Sequence, residues 1–134
     1  MSDASEDGDR QRLSRVLADS RSGVLKLALD PVEAAREGQH TGWQVVQLHA
    51  SGDRSAFLAE CQRAFGLPDW FGANWDALAD ALSDIQPLPG QLVIWSGSNG
   101  LDRETRDIAA EILAERAEDG PAPFVVVQLG RDHT

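Results

Sequence analysis

Three aspartates recur at four-residue intervals in the middle of the chain, at Asp76, Asp80 and Asp84. In a helix such residues lie on one side, because each residue turns the chain by about 100°. Their carboxylates could coordinate a hard cation such as Mg²⁺, serve as acid and base in a hydrolase, or bind a positively charged partner. The spacing alone leaves these three chemistries open.

A helix is predicted from about residue 75 to residue 85, and Asn74 is a good residue to cap its start. Pro68 and Gly72 mark a turn before this helix. Its apolar residues gather on the side opposite the aspartates, where a core would lie: Leu78, Ala81, Leu82 and Ile85. We therefore expect a helix with an apolar side toward the core and a purely acidic side toward solvent.

The acidic side is unfavourable for the isolated helix, since like charges four residues apart cost about 0.2–0.5 kcal/mol per pair. No Lys or Arg occurs between Arg63 and Arg103 to relieve this repulsion. A solvated helix face in an acidic protein is the simplest interpretation, but such faces usually mix both signs. A face of one sign is better explained by a cationic partner.

Two aromatic residues, Trp70 and Phe71, lie in the turn before the acidic helix. Phe71 and Trp75 are candidates to pack inward, which would leave Trp70 beside the carboxylates. There it would be an aromatic anchor of the kind enriched in binding hot spots. The alternative is that both turn aromatics are buried in the core.

Other chemistry finds less support in the sequence. The loop at Ser96 lacks the G-x-S-x-G spacing of a nucleophile elbow and the Gly-Lys of a phosphate-binding loop. The three histidines are dispersed, and no histidine pair, cysteine pair or calcium-loop pattern is present. We predict no catalytic residue, no metal site and no cofactor, and hence no enzyme. A carboxylate-dependent hydrolase using Asp76 and Asp80 is the least supported alternative.

The composition is that of one folded domain with strong negative charge. The chain has 134 residues, 42% of them hydrophobic, and a formal net charge of −10. Such a charge repels nucleic acids and anionic membranes and favours basic partners. The single cysteine, Cys61, excludes an intrachain disulfide and is predicted to be a buried thiol. Because no apolar leader or membrane-length segment is present, we expect a cytoplasmic protein.

Predicted strands alternate with predicted helices along the chain. Short apolar runs predict strands at residues 24–29, 43–49, 91–95 and 124–129. Further helices are predicted at residues 31–38, at 55–65 with Ser55 as the cap, and at 102–119 with Ile108, Ile112 and Leu113 on the apolar side. This alternation indicates an α/β fold, with a small, mainly parallel sheet of three to four strands and helices packed on it.

The start of the folded domain is expected near residue 20. Residues 1–12 are small, polar and charged, and residues 13–20 predict no more than a short helical turn. We therefore expect a disordered acidic tail over residues 1–20 and one folded domain over residues 21–134.

The motif around the acidic helix resembles that of the barstar family, the intracellular inhibitors of secreted guanyl-specific ribonucleases. Residues 67–82 are LPDWFGANWDALADAL, similar to the family pattern L-P-x-[YF]-[YF]-G-x-N-x-D-A-L-x-D-x-L. The resemblance covers about residues 42–130 and implies a barstar-like fold for the domain. The segment before Trp43 is additional to the smallest family members, and we expect it to add an edge strand.

The resemblance also implies an inhibitory face. Asp80 matches the family's carboxylate that enters the phosphate site of the nuclease. Asp84 adds an acid to this face, and Glu115 on the long helix aligns with a further contact acid. Ala79 and Ile85 stand where the barnase inhibitor has tryptophans, which points to a different cognate partner. The predicted contact residues are Trp70, Asn74, Asp76, Asp80, Asp84 and Glu115.

The leading hypothesis is therefore an immunity protein that inhibits a secreted or toxin ribonuclease. Its acidic helix would occupy the cationic active site of a basic microbial ribonuclease, and the free protein would be a monomer. The alternative is a barstar-fold binding module for another basic protein, such as a non-nuclease toxin or a regulatory protein.

Overall fold

The computed structural model describes residues 3–68, 74–84, 89–120 and 122–129. No helix within these ranges is long and apolar enough to cross a membrane. A short 3-10 turn at Ser98–Gly100 follows the third strand. The elements in chain order are α1 (Asp3–Ala18), β1 (Gly23–Leu27), α2 (Pro31–His40), β2 (Gln44–His49), α3 (Arg54–Phe65), α4 (Trp75–Ser83), β3 (Gln91–Ser96), α5 (Arg103–Asp119) and β4 (Phe124–Leu129).

The four strands form one parallel sheet in the order β1-β4-β3-β2. β3 and β4 are central, and every side chain from Gln91 to Trp95 is buried, as expected for a strand covered on both faces. This arrangement confirms the predicted α/β fold with helices on a parallel sheet. β1 is the edge strand expected from the segment before Trp43.

The sheet separates two apolar cores, because successive residues of a strand point to opposite faces. On one face, α3, α4 and α5 pack around a core that includes Val93 and Trp95. On the other face, α1 and α2 cover a core that includes Leu92 and Ile94. The acidic helix α4 therefore takes its position from the first core.

The predicted disorder of residues 1–20 is wrong for Asp3–Ala18, which forms helix α1. Leu13 and Leu17, four residues apart, are fully buried in the second core. The helix was not predicted because most residues of this segment are polar. Two leucines four residues apart are nevertheless enough to pack it on the sheet.

The cap of helix α3 lies two residues earlier than predicted, and the helix begins at Arg54. Asp53, rather than Ser55, is the capping residue, and its Oδ1 accepts a hydrogen bond from the backbone N–H of Ala56 at 3.1 Å. Cys61 is buried in this helix, as predicted, and burial raises the pKa of its thiol.

The buried side of α5 is rotated from the predicted one. Leu113 is buried, but Ile108 and Ile112 are only half-buried at the edge of the helix. Small residues allow α5 to approach the sheet closely, and an arginine takes part in the buried side. The buried residues of α5 are Thr105, Ala109, Leu113, Arg116 and Ala117.

We expect Leu17→Ala to lower the free energy of unfolding by roughly 2–4 kcal/mol, because it leaves a cavity beneath α1. Gln11→Ala, an exposed change on the same helix, should alter it by no more than about 0.5 kcal/mol. Urea denaturation of the full chain, followed by tryptophan fluorescence, measures both variants. Equal stabilities would show that α1 does not contribute to the folded domain.

Candidate functional site

The start of α4 is capped by a side chain, as predicted. Asn74 has extended backbone dihedrals, and its Oδ1 accepts a hydrogen bond from the backbone N–H of Ala77 at 2.8 Å. This bond satisfies one of the N–H groups that the first turn of a helix leaves without a partner. The N-terminal end of α4 is thereby fixed at Trp75.

The two sides of α4 differ as the periodicity predicts. Leu78 and Leu82 have no exposed surface, whereas Asp76 and Asp80 are exposed. Asp84 is the C-cap and keeps helical dihedrals, so it continues the same side of the helix. These three aspartates form the acidic face. Neighbouring members of this face are about 40° apart around the helix axis and about 6 Å apart along it.

The negative charge of the acidic face is not neutralised by ion pairs within the described part of the chain. The ion pairs found there join other acids to arginines: Glu33 to Arg10 and Arg36, Glu60 to Arg63, and Asp107 to Arg103. The acidic face therefore presents charge of one sign to solvent.

Trp75, predicted to pack inward, lies at the first position of α4 and is half-buried. Its ring contacts that of Phe57 on α3, with centroids 5.9 Å apart and planes inclined by 39°. This contact confirms the inward role of Trp75 and links α4 to α3. Trp70, Phe71 and Ile85 lie outside the described residues.

A buried arginine on α5 holds the other end of α4. Arg116 is 5% exposed, and its Nε donates a hydrogen bond to the carbonyl oxygen of Leu82 at 2.8 Å. Its guanidinium also donates to the carbonyl of Ala122 and lies 4.5 Å from the ring centroid of Phe124. A cation is favourable at the C-terminal end of a helix, where carbonyl groups lack partners. Burial nevertheless lowers the pKa of Arg116.

The buried role of Arg116 was not predicted, although its spacing along the chain contains a signal. Arg116 follows the buried Leu113 by three residues, which places it on the core side of α5. Gly120 follows by four residues, and a Cβ there would lie 1.5 Å from Nη1 of Arg116. A glycine at this position therefore gives the guanidinium its space.

Glu115, on α5, lies across a groove from α4. The groove has a volume of about 220 Å³ and lies between the two helices. Ala79 and Ser83 form the wall of the groove on the α4 side. Each directly precedes an aspartate of the acidic face in sequence, so each lies about 100° from that aspartate around the helix axis. Glu115 thus lines the same groove as Ala79 and Ser83, and its part in a contact surface stays a prediction.

Another polar pair lies at the carboxyl ends of β2 and β3. His49 and Ser96 are register partners, and Nδ1 of His49 is 2.9 Å from Oγ of Ser96. Glu60 accepts a hydrogen bond from the backbone N–H of His49, not from its ring. Within the described residues, this serine and histidine therefore have no carboxylate on the ring to complete a triad.

Comparison with known protein families identifies the family of this chain. The chain matches the model of the family described as Barstar (barnase inhibitor) over residues 43–128, well over half of its length. It belongs to the barstar family. No curated protein matches the chain significantly. The barstar-family region contains α4, α5 and all the predicted contact residues, so membership implies a role of the ribonuclease-inhibitor type in general.

We expect Arg116→Ala to lower the free energy of unfolding by about 2–3 kcal/mol. The change removes a charged donor from the buried carbonyl of Leu82 and leaves a cavity beside Phe124. Arg103→Ala, on the exposed start of α5, should cost less than about 0.5 kcal/mol because its ion pair with Asp107 is in solvent. Thermal and urea unfolding of both variants test the difference, and equal losses would contradict the role assigned to Arg116.

Proposed function

We propose that this protein inhibits a secreted or toxin ribonuclease by occupying the nuclease's cationic active site with the acidic face of α4. The observation that carries the proposal is the exposed, single-sign face in a member of the barstar family. We include Trp70, Asn74 and Glu115 in the proposed contact surface. The partner is a basic protein, because the chain carries a net charge of −10.

The geometry of α4 supports recognition of a phosphate-binding pocket. Asp76 and Asp80 present anionic oxygens about 6 Å apart along the axis, a spacing close to that of consecutive nucleic-acid phosphates. A pocket that holds phosphates with Arg, Lys and protonated His side chains would accept these carboxylates. Asp80, in the middle of α4, is the residue proposed to enter the phosphate site.

The cap of Asn74 and the anchor of Arg116 support binding without rearrangement. Both ends of α4 are held by hydrogen bonds, and its apolar side is buried. A rigid helix loses little conformational entropy when it binds, so more of the contact energy appears as affinity. In this proposal inhibition is stoichiometric and noncovalent, and involves no catalytic residue, metal or cofactor of this chain.

The proposal extends to the state of the protein and its place in the cell. We propose a cytoplasmic protein, monomeric when free, that protects its cell as an immunity protein. Ala79 and Ile85, at positions of tryptophans in the barnase inhibitor, favour a cognate nuclease other than barnase.

Inhibition of a panel of basic microbial ribonucleases by the full chain tests the proposal. We expect Asp80→Ala to weaken binding of the inhibited nuclease by about 2–5 kcal/mol, or at least about 25-fold, a range for which barnase–barstar is itself the standard example. Asp107→Ala, which removes an exposed acid from α5, changes the net charge equally and should have little effect.

Two outcomes would contradict the proposal: no nuclease of the panel is inhibited, or Asp80→Ala and Asp107→Ala bind alike. In the first case, the alternative of a barstar-fold module for another basic protein is tested by identifying proteins retained by the immobilised chain. Their isoelectric points and activities would separate a non-nuclease toxin from a regulatory partner.

Salt should act mainly on the rate of association. Because the acidic face and the nuclease carry opposite charges, we expect the association rate constant to fall steeply as ionic strength rises. The dissociation rate constant should change far less, since the bound charges are shielded from solvent. Stopped-flow fluorescence at several salt concentrations measures both constants. An association rate that does not depend on salt would exclude electrostatic steering.

A further inference from the structure

The sheet has two edge strands, β1 and β2, because the strand order is β1-β4-β3-β2. The outer side of an edge strand carries backbone N–H and C=O groups without a neighbouring strand. Such a row of groups is a template on which another chain can add a strand. The side chains that bond to these groups therefore decide whether an edge can accept one.

On β2, the outward-facing backbone groups belong to alternate residues. The N–H of Gln44 donates a hydrogen bond to the carbonyl oxygen of Gly90, which directly precedes β3. Successive residues of a strand point their backbone groups in opposite directions, so Val45, Gln47 and His49 face away from β3.

A carboxylate of α3 closes the carboxyl end of the β2 edge. Oε2 of Glu60 accepts a hydrogen bond from the outward N–H of His49 at 3.1 Å. The side chain of Glu60 is only 15% exposed, and Nε of Arg63 donates to its Oε1 at 2.8 Å. The hydrogen bond from Arg63 lowers the pKa of Glu60, so the carboxylate stays ionised in mildly acidic solution.

The same alternation identifies the outward groups of β1. The N–H of Phe124 donates to Oγ of Ser22, so Phe124 and every second residue after it direct their N–H groups toward β1. Val126 is one of these residues, and its register partner is Val24. Only one member of each register pair points toward the other in a parallel ladder, so Val24 and Lys26 face outward.

A carboxylate of α1 closes the carboxyl end of the β1 edge. Ala28 directly follows β1 and continues the alternation, and its N–H donates to Oδ2 of Asp9 at 2.8 Å. Asp9 precedes the buried Leu13 by four residues, which places it on the side of α1 that packs on the sheet. The apolar contact that attaches α1 thus also brings a carboxylate to the edge strand.

The remaining open part of each edge is short. Among the described residues of the two strands, the outward-facing ones beyond the closed ends are Val24 and Lys26 on β1, and Val45 and Gln47 on β2. Lys26 is exposed and adds a charge to the β1 edge, which disfavours pairing with another strand. An added strand would have to displace a carboxylate to extend further.

We propose that Asp9 and Glu60 close the two sheet edges against a strand from a second copy of this chain, and so keep the protein monomeric. Each carboxylate occupies the N–H that an incoming strand would need, and its charge repels that strand's carbonyl oxygens. The two contacts come from opposite faces of the sheet, since α1 packs on one face and α3 on the other. The inference deepens the monomeric state of the proposed function and does not rest on nuclease inhibition.

Sedimentation velocity of the full-length chain over a range of concentrations tests the proposal. The double variant Asp9→Ala, Glu60→Ala removes both acceptors, and we expect its average sedimentation coefficient to rise with concentration while that of the wild type stays constant. The matched variant Asp9→Asn, Glu60→Gln removes the same charge but keeps an oxygen that can accept the hydrogen bond. It should remain monomeric.

Amide hydrogen exchange at low concentration reports the two contacts directly. After correction for intrinsic rates, the amides of Ala28 and His49 in the wild type should exchange at least about tenfold more slowly than those of Lys26 and Gln47, as expected for hydrogen bonds to charged acceptors. The alanine variant should lose this difference. Unchanged protection of β3 and β4 would show that its fold is retained.

Three results would overturn the inference: a folded alanine variant that stays monomeric at millimolar concentration, equal association of the Asn/Gln variant, or wild-type exchange at Ala28 and His49 as fast as at Lys26 and Gln47. If the alanine variant does not fold, the wild-type exchange and the Asn/Gln variant decide. Association of the wild type would overturn both the edge closure and the proposed monomeric state. Failure to inhibit any nuclease would contradict the proposed inhibition and leave the edge closure intact.

Discussion

The orientation of the acidic face depends on the complete burial of Leu78 and Leu82 in the core. These two residues determine how α4 is rotated about its axis, because any large rotation would expose them and carry an aspartate toward the core. Burial of an unpaired carboxylate costs several kcal/mol, so the alternative rotations are strongly disfavoured. The direction of the carboxylates is therefore a property of the core and not of the surface.

Arg116 shows how the protein keeps a cation near α4 without neutralising the aspartates. The guanidinium is buried and donates to the carbonyl of Leu82, so its charge stabilises the end of the helix. The repulsion within the acidic face remains in the free protein. A cationic partner would relieve this repulsion on binding, which is the usual conflict between stability and function at binding sites.

Local signals in the sequence were sufficient for the strands, for α4 and for its cap at Asn74, because periodicity and capping act within a few residues. Features decided by distant contacts were not predictable in this way. Helix α1 forms because Leu13 and Leu17 find an apolar sheet face, and Arg116 is buried because Leu82 offers it a carbonyl. These contacts form only when elements far apart in the chain are brought together.

The first forty-two residues have a consequence for the size of the independent folding unit. α1 and α2 shield one entire face of the sheet, and β1 pairs with β4 along its outer edge. A chain shortened to the family-matched residues 43–128 would expose an apolar surface and a strand edge with unpaired backbone groups. Both features promote aggregation. The apolar core and sheet of this protein thus extend beyond the region that it shares with its family.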